Sequence, residues 1–456
     1  MRFPDRFKAF ALFCAASAIP FVAQAQRAPA RQLGPAIPVQ VQQRPLPASP
    51  QQQLPPAAQP QPLPPPLWSI PDVQALLVYI SSIDKEGLDP ADYDPNGLAA
   101  ALNGGDPMAV SEAATDRFNR LSADLALGHV RGKDRIDWWI KDPDLDGGRQ
   151  DQLLRWALMS HQVKETLDGL SPVHPQYAAL KHALEVTPAD EKEKRGRIRL
   201  NMDRWRWLPQ NLGERYIIVN VPAYTAALVE KGETISRHHA VAGKISTPTP
   251  QLSAMATGVI LNPWWEVPKS IAHEVAGKRG YVAVKGDDGK VQRWRQPPGP
   301  TNALGRIKFV MPNSKAIYLH DTNAKSRFNS KVRAYSHGCI RTEHIMNLAK
   351  ILLTEGAQNA AAVDESGKPA ETWTKERVDE TIASGKSVEA NFPEPLPVYI
   401  VYMSSAATVD GRIIDYPDIY KRDGSVIASL RDVRTPGKPT RDAAKPAPPK
   451  DKVATR

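Results

Sequence analysis

The sequence predicts an α+β protein in which a helical N-terminal domain precedes a mostly-β domain, and three observations carry that reading. Apolar residues recur at helical spacing between Trp68 and about Pro188, the period that lines one face of a helix. Beyond Pro209 the apolar runs shorten and fill with β-branched and aromatic residues, as in Arg215 to Pro222, the composition of strands. A Pro- and Gln-rich tract before Trp68 and a basic, Pro-containing tail from Arg431 bracket the two regions.

Residues 1–25 read as a secretory signal, with Arg2, Arg6 and Lys8 ahead of a short apolar core and Ala23-Gln24-Ala25 at the cleavage site. That core is too short, and too interrupted at Pro20, to span a bilayer. A lipoprotein box at Cys14 is the alternative, but Ala11 stands where a Leu is expected and the cut would halve the apolar core. No later stretch offers the roughly 18 continuous apolar residues a membrane span needs. Export to the periplasm is therefore expected. Residues 26–67 are mainly Pro, Gln and Ala, too poor in large apolar groups to fold, and predict an extended tether or spacer.

The helical domain is expected over 68–194. Its first helix starts at Pro71 and runs through Val73, Leu76, Leu77, Ile80 and Ile83 to Gly87. Asp94 to Gly97, D-P-N-G, reads as a turn. A second helix carries Ala114, Phe118, Leu121 and Leu125, and a third runs through Leu153, Leu154, Ala157, Leu158 and Leu167 to Gly169. A charged tract, Ala189 to Gly196, leads into the second domain, 195–430. There strands are expected at 215–222, 259–262, 307–310, 316–320 and 396–402, with a hairpin turn at Gly232. Many short strands with few helices predict a sandwich or barrel-like core. An insertion at about 268–300 holds a short helix, P-K-S-I-A-H-E-V-A, and a polar loop, K-G-D-D-G-K, and reads either as a lid or as a decorated surface loop. Thr342 is placed as the N-cap of a helix through Ile345, Leu348 and Leu352. The tail, 431–456, sets eight Lys and Arg against three Asp and predicts disorder.

The formal net charge is +10, which favours an anionic partner. Nucleic acid is not expected, because the chain is exported and no basic and aromatic binding motif stands out.

The chemistry concentrates between His320 and Arg341, H-D-T-N-A-K-S-R-F-N-S-K-V-R-A-Y-S-H-G-C-I-R. The chain holds two cysteines, Cys14 in the signal and Cys339 here, so the exported protein keeps one thiol without a disulfide partner. A sulfur nucleophile needs a base and backbone N–H groups to hold an oxyanion. His320 and His337 offer the base, and Gly338 and Cys339 the N–H groups. A buried, inert thiol is the bland alternative. A metal site from His320, Asp321, His337, Cys339 and His344 is disfavoured, because no paired short spacing of the zinc type occurs. No metal and no organic cofactor is expected.

The S-H-G-C-I-R segment after an upstream H-D-T resembles the active-site signature of the L,D-transpeptidases of bacterial peptidoglycan, the YkuD family. Asn262 to Pro268 (N-P-W-W-E-V-P), Pro298 to Phe309 (P-G-P-T-N-A-L-G-R-I-K-F) and Ile317 to Thr322 (I-Y-L-H-D-T) extend the resemblance to the YcbB-like subgroup. It implies a helical scaffold domain, a mostly-β L,D-transpeptidase catalytic domain and a capping insertion. The separate peptidoglycan-binding module common in that subgroup has no counterpart between Leu170 to Tyr177 and Arg197. The implied roles are Cys339 as nucleophile, His320 as base, His337 in support and Gly338 in the oxyanion site. Arg341, Tyr318, Trp264, Ser336 and Thr322 are the expected substrate contacts, with Ser336 also expected to hydrogen-bond within its loop and Arg333 a further cleft residue. Arg341 is expected to pair either with a stem-peptide carboxylate or with a neighbouring acid. Asp321 and Thr322 are expected to hold the His320 tautomer, and a following helix N-terminus to lower the Cys339 pKa.

The implied reaction is acyl transfer from a tetrapeptide stem to a neighbouring stem, with carbapenems as inhibitors. Peptidoglycan stem peptides are the implied partners, together with other wall-synthesis enzymes. An L,D-carboxypeptidase, an amidase-type cysteine hydrolase, an enzyme attaching envelope protein to the wall, and a catalytically silent wall-binding scaffold stay open at this point.

Overall fold

A computed structural model describes residues 64–141, 145–354, 372–408 and 410–431. The expected signal, almost all of the tether and all of the tail after Arg431 lie outside the described residues. Among the described residues no helix is long and apolar enough to cross a membrane.

The fold is helical first and mostly β afterwards. Helices α1 (Ile70–Ser81), α2 (Pro95–Gly104), α3 (Pro107–Leu127), α4 (Gly147–Ser160), α5 (Val163–Asp168), α6 (Pro175–Val186) and α7 (Lys192–Arg206) precede the sheet. Ser69 caps α1 by accepting from the Asp72 N–H, with a proline in the first turn. The apolar stripe of α1 then closes on that of α3, burying Val73, Leu76, Ile80, Phe118 and Leu121 completely or nearly so. Each such side chain contributes about 1.5–3 kcal/mol of burial.

Two expectations change here. D-P-N-G is not a free turn: Asp94 sits at φ 42° and its carboxylate accepts the Gly97 N–H at 3.0 Å, so the segment caps α2. The expected third helix is two helices, α4 and α5, broken where His161 turns left-handed at φ 55°. No Gly or Pro marks that break, which is why periodicity runs through it.

Helix α7 ties the two halves together, and the boundary expected after residue 194 lies in its first turn. Ile198, Met202 and Trp205 pack with Tyr216 and Tyr399 on the outside of the sheet, while Asp203, fully buried, accepts the N–H groups of His129 (2.6 Å) and Val130 (3.1 Å) and the Trp207 indole N–H (2.9 Å). A buried carboxylate with three donors is satisfied rather than costly.

The β region comprises β1 (Arg215–Asn220), β2 (Thr225–Glu230), β3 (Glu233–Gly243), β4 (Leu252–Leu261), β5 (Trp265–Glu266), β6 (Val282–Lys285), β7 (Val291–Gln296), β8 (Ile307–Val310), β9 (Leu319–His320), β10 (Ala334–Ser336), β11 (Ile340–Thr342), β12 (Val388–Val401), β13 (Ser405–Ala407) and β14 (Ile413–Asp415). The main sheet runs β10-β3-β11-β9-β8-β4-β12-β1-β2, and β2 pairs again with β3, so it closes on itself as a barrel with β10 added outside. Inward residues such as Ile217, Val219, Val259, Phe309, Leu319, Ile340 and Val398 fill it. Helices α9 (Ile345–Thr354) and α10 (Lys375–Ser384) cover part of that core, and α11 (Asp423–Ser429) packs on α7.

The insertion is more ordered than a lid loop. It holds a short helix, α8 (Ala272–Val275), and a three-stranded sheet β5-β7-β6, around a small core of Val267, Ile271 and Val275. The K-G-D-D-G-K segment is the turn of the β6–β7 hairpin. Thr342 is not a helix cap. It ends β11, and α9 begins only at Ile345, after His344 at φ 49°.

Candidate active site

Three neighbouring barrel strands place the chemistry. Strand β8 pairs antiparallel with β9 at Lys308 and His320, and β9 pairs parallel with β11 at His320 and Arg341. Residues opposite one another in a sheet project from the same face. Lys308, His320 and Arg341 therefore form one cross-strand row. Two residues back along their strands, Tyr318 and Cys339 sit side by side on that same face, linked by the Ile340 N–H donating to the Tyr318 carbonyl at 3.0 Å.

The strand end that carries His320 is fixed from behind. The Asp321 N–H donates to Ile307 O at 2.8 Å, and the Asp321 carboxylate accepts the Arg306 N–H at 2.9 Å and pairs with Lys325. Gly305, at φ 62°, makes room for that carboxylate: a Cβ there would lie 2.3 Å from its oxygen. The glycine of the N-A-L-G motif is thus a packing requirement.

His320 is 5% exposed and its Nδ1–H donates to the Asp321 carbonyl at 2.5 Å, leaving Nε2 bare. Asp321 sets the tautomer through its backbone, not its carboxylate. Burial pushes the imidazole pKa down to about 3, and the flanking Arg341 and Lys308 charges push the same way. The resting imidazole is neutral.

Cys339 lies on a tight loop braced by Ser336. The buried Ser336 hydroxyl donates to the Cys339 carbonyl at 2.5 Å and accepts the Gly338 N–H at 3.1 Å. Gly338 adopts φ 117°, where a Cβ is strained, and its carbonyl accepts from the Thr249 hydroxyl at 2.8 Å. The Cys339 N–H has no hydrogen-bond partner among the described residues. The partly exposed thiol donates to Ala316 O at 3.8 Å. Burial raises its pKa, opposed by Tyr318, Lys308 and Arg341. Because a strand follows Cys339, no helix N-terminus lowers that value, contrary to expectation.

Residues 214–389, from the start of the barrel to β12, match the YkuD family, the L,D-transpeptidase catalytic domain. Residues 64–184 match the Scaffold domain. The chain carries a YkuD catalytic domain behind a Scaffold domain. A Haemophilus influenzae protein named "Putative L,D-transpeptidase" is 28% identical over 306 residues, 60% of this chain. The chain spans 59% of the length of that curated relative. Among solved structures, an L,D-transpeptidase from Mycobacterium smegmatis is 13% identical, with 41% of this chain and 58% of that chain covered and a TM-score of 0.21. The catalytic domain of an Enterococcus faecium L,D-transpeptidase acylated by ertapenem is 14% identical, with 42% of this chain and 99% of that chain covered and a TM-score of 0.21.

Within the YkuD domain, Cys339, His320, Tyr318 and Arg341 share one face, and several other expected contacts do not join them. His337 Nε2 lies 3.3 Å from Glu274 Oε1 on α8 and 3.3 Å from Lys244 Nζ, so its partners belong to the insertion and the loop after β3, not to the sulfur. The Gly338 N–H is taken by Ser336 and is not free for an oxyanion. Ser336 hydrogen-bonds within the loop, as expected, and so braces it. Thr322 is 1% exposed and its hydroxyl accepts the Ala324 N–H at 3.1 Å, closing a turn. Trp264 stacks under Arg295, 4.3 Å away, within the insertion, while the next residue, Trp265, reaches the Tyr318 hydroxyl. Arg333 is spent on the carbonyls of Ala240, Ser330 and Tyr224.

Lys308 is the residue that sequence reasoning missed. Its alternation within I-K-F-V, between buried Ile307 and Phe309, was the available signal.

Proposed function

We propose that the protein is a cysteine-dependent L,D-transpeptidase of peptidoglycan, of the YcbB-like kind, acting on the wall after export. The observation that carries this reading is the shared face of Cys339, Tyr318, His320 and Arg341 inside the residues that match the YkuD catalytic domain.

In the first half-reaction the Cys339 sulfur attacks the carbonyl of the third residue of a tetrapeptide stem, a diaminopimelate. The thiol proton passes to Nε2 of His320, the position its Nδ1 bond leaves open. Diagonal neighbours in a sheet stand about 7–8 Å apart, somewhat less at Cβ, within reach of an imidazole. The oxyanion faces the unpaired Cys339 N–H and the Tyr318 hydroxyl. Collapse breaks the C–N bond to D-Ala, whose amine takes the proton from His320, and a thioester remains. In the second half-reaction a neighbouring stem's amine attacks the thioester carbonyl, its proton goes to Nε2, and the sulfur leaves and is reprotonated. The neutral imidazole suits both halves, since it must accept a proton each time.

Arg341 serves the donor peptide. Its Nε is buried with no hydrogen-bond partner among the described residues, so the neighbouring-acid alternative has no support, and a substrate carboxylate completes it.

Incubating the full-length chain with a disaccharide tetrapeptide and separating products by liquid chromatography and mass spectrometry tests the reading. Dimers joined diaminopimelate to diaminopimelate support it. Tripeptide alone would make the protein a hydrolase, and no product with an unchanged wall in a Cys339→Ala strain would make it a silent scaffold.

A further inference from the structure

We infer that Lys308 and Arg341 together form a receptor for a carboxylate on the acyl-donor peptide, so that the enzyme selects donors bearing a free carboxylate close to the scissile bond. This deepens the transpeptidase reading and rests on it.

Two cations flank one neutral imidazole in the row Lys308, His320, Arg341, an arrangement that repels itself unless an anion arrives. The Lys308 ammonium lies over the Tyr318 ring at 4.5 Å, beside the sulfur. It makes no hydrogen bond or ion pair among the described residues, and the groups whose negative charge acts on it, Cys339 first and then Glu266 and Glu389, form no ion pair with it. Burial lowers its pKa, as expected for a charge taken from water without a partner. Across the row, the half-buried Arg341 guanidinium has an unpaired Nε, and the charge that acts on it most is another cation, Arg327, with Cys339 opposing it. Half-buried cations without counter-charges cost stability. Their presence on either side of the base is accounted for by a substrate anion that neutralises both.

Geometry fixes where that anion sits. The cation row stands two residues along the strand from the row of Tyr318 and Cys339, about 7 Å at ~3.3 Å per residue. A carbonyl held at the sulfur therefore has its receptor one side-chain length away. A carboxylate at the far end of the acyl residue's side chain reaches it in an extended conformation. The carboxylate of the leaving residue reaches it only by folding back. Both sources share one chemistry, and the test separates them.

The test uses the full-length chain and three tetrapeptides: the free acid, one amidated at the C-terminal carboxyl, and one amidated at the side-chain carboxyl of the third residue. Binding is measured by calorimetry on Cys339→Ala, so it does not depend on turnover, and acylation of the wild type is followed by intact mass. We expect one amidation to weaken binding about tenfold or more and Lys308→Gln to weaken the free acid by a similar factor. The same amide should bind Lys308→Gln and Lys308 protein equally, and Lys308→Arg should restore selection. If both amides bind as tightly as the acid, or if Lys308→Gln weakens all three peptides alike, the receptor does not exist. Carboxylate-dependent binding without any acylation of Cys339 would leave the receptor standing and overturn the transpeptidase reading instead.

Discussion

The Nδ1–H of His320 donates to the carbonyl of Asp321, its neighbour in sequence, at 2.5 Å. That bond fixes the tautomer from within the backbone, and burial between two cations brings the pKa down to about 3. The folded imidazole is therefore neutral throughout the range in which an exposed histidine titrates, near 6.5. The acid side of the kcat/KM profile should show no limb near pH 6.5 from this residue. A limb there that disappears in His320→Gln would contradict the neutral assignment.

The thiol behaves in the opposite sense. Its pKa is raised by burial, with Tyr318, Lys308 and Arg341 only partly offsetting that. Alkylation of Cys339 by iodoacetamide should keep climbing into alkaline pH without levelling off, as for a thiol held above its ordinary value. A plateau by pH 7 would mean a preformed thiolate.

Acid should destabilise the fold through two histidines. His174, stacked on Trp205 at a centroid distance of 4.0 Å, is lowered to about 4 by burial, and His320 to about 3. The unfolded chain binds these protons near pH 6.5 and the folded chain does not, so stability is fully present above about 6.5 and is lost as pH falls toward 3 to 4. For His174 the loss is about 3 kcal/mol at most. Urea titrations at pH 7 and pH 4.5 should show His174→Gln losing less stability between the two than the wild type. An identical loss would argue against a neutral, buried His174.

Ser336→Ala removes the brace that spans the Gly338 N–H and the Cys339 carbonyl. We expect about 1–3 kcal/mol of destabilisation, since a buried N–H is left unpaired, and at least a tenfold slower acylation of Cys339. Unchanged acylation with a lowered melting temperature would confine Ser336 to stability.

The His337–Glu274 pair joins the S-H-G-C loop to α8, with side chains 34% and 43% exposed. Exposed pairs contribute roughly 0–1 kcal/mol, so Glu274→Ala should leave the melting temperature almost unchanged. Limited proteolysis within residues 268–300 should nevertheless accelerate. Equal cleavage rates would show that the insertion is held by its own core of Val267, Ile271 and Val275.

The order of helices before strands was legible because period 3.6 and β-branched composition are local signals. The β2–β3 hairpin was legible too, from the turn expected at Gly232, whereas the pairing of β1 with β12, about 180 residues away, is not local and no nearby residue announces it. Cys339 and His320 were legible from rarity and motif spacing. Their setting was not, because it depends on register: a lysine in I-K-F-V reads as a solvent-facing strand residue until β8 is laid against β9 opposite His320. The same holds for Ser336 and Gly338. Ser336 was expected to hydrogen-bond within the loop and Gly338 to hold the oxyanion, and the three-dimensional loop turns the two on each other.

The most direct test of the account is peptide mapping by mass spectrometry after brief exposure of the full-length chain to a disaccharide tetrapeptide. The account predicts an adduct on the peptide containing Cys339 with the mass of the stem minus D-Ala, labile to hydroxylamine as a thioester is, and chased into dimer by added stem peptide. Product formation with Cys339 unmodified at every time point, or persisting in Cys339→Ala, would contradict it.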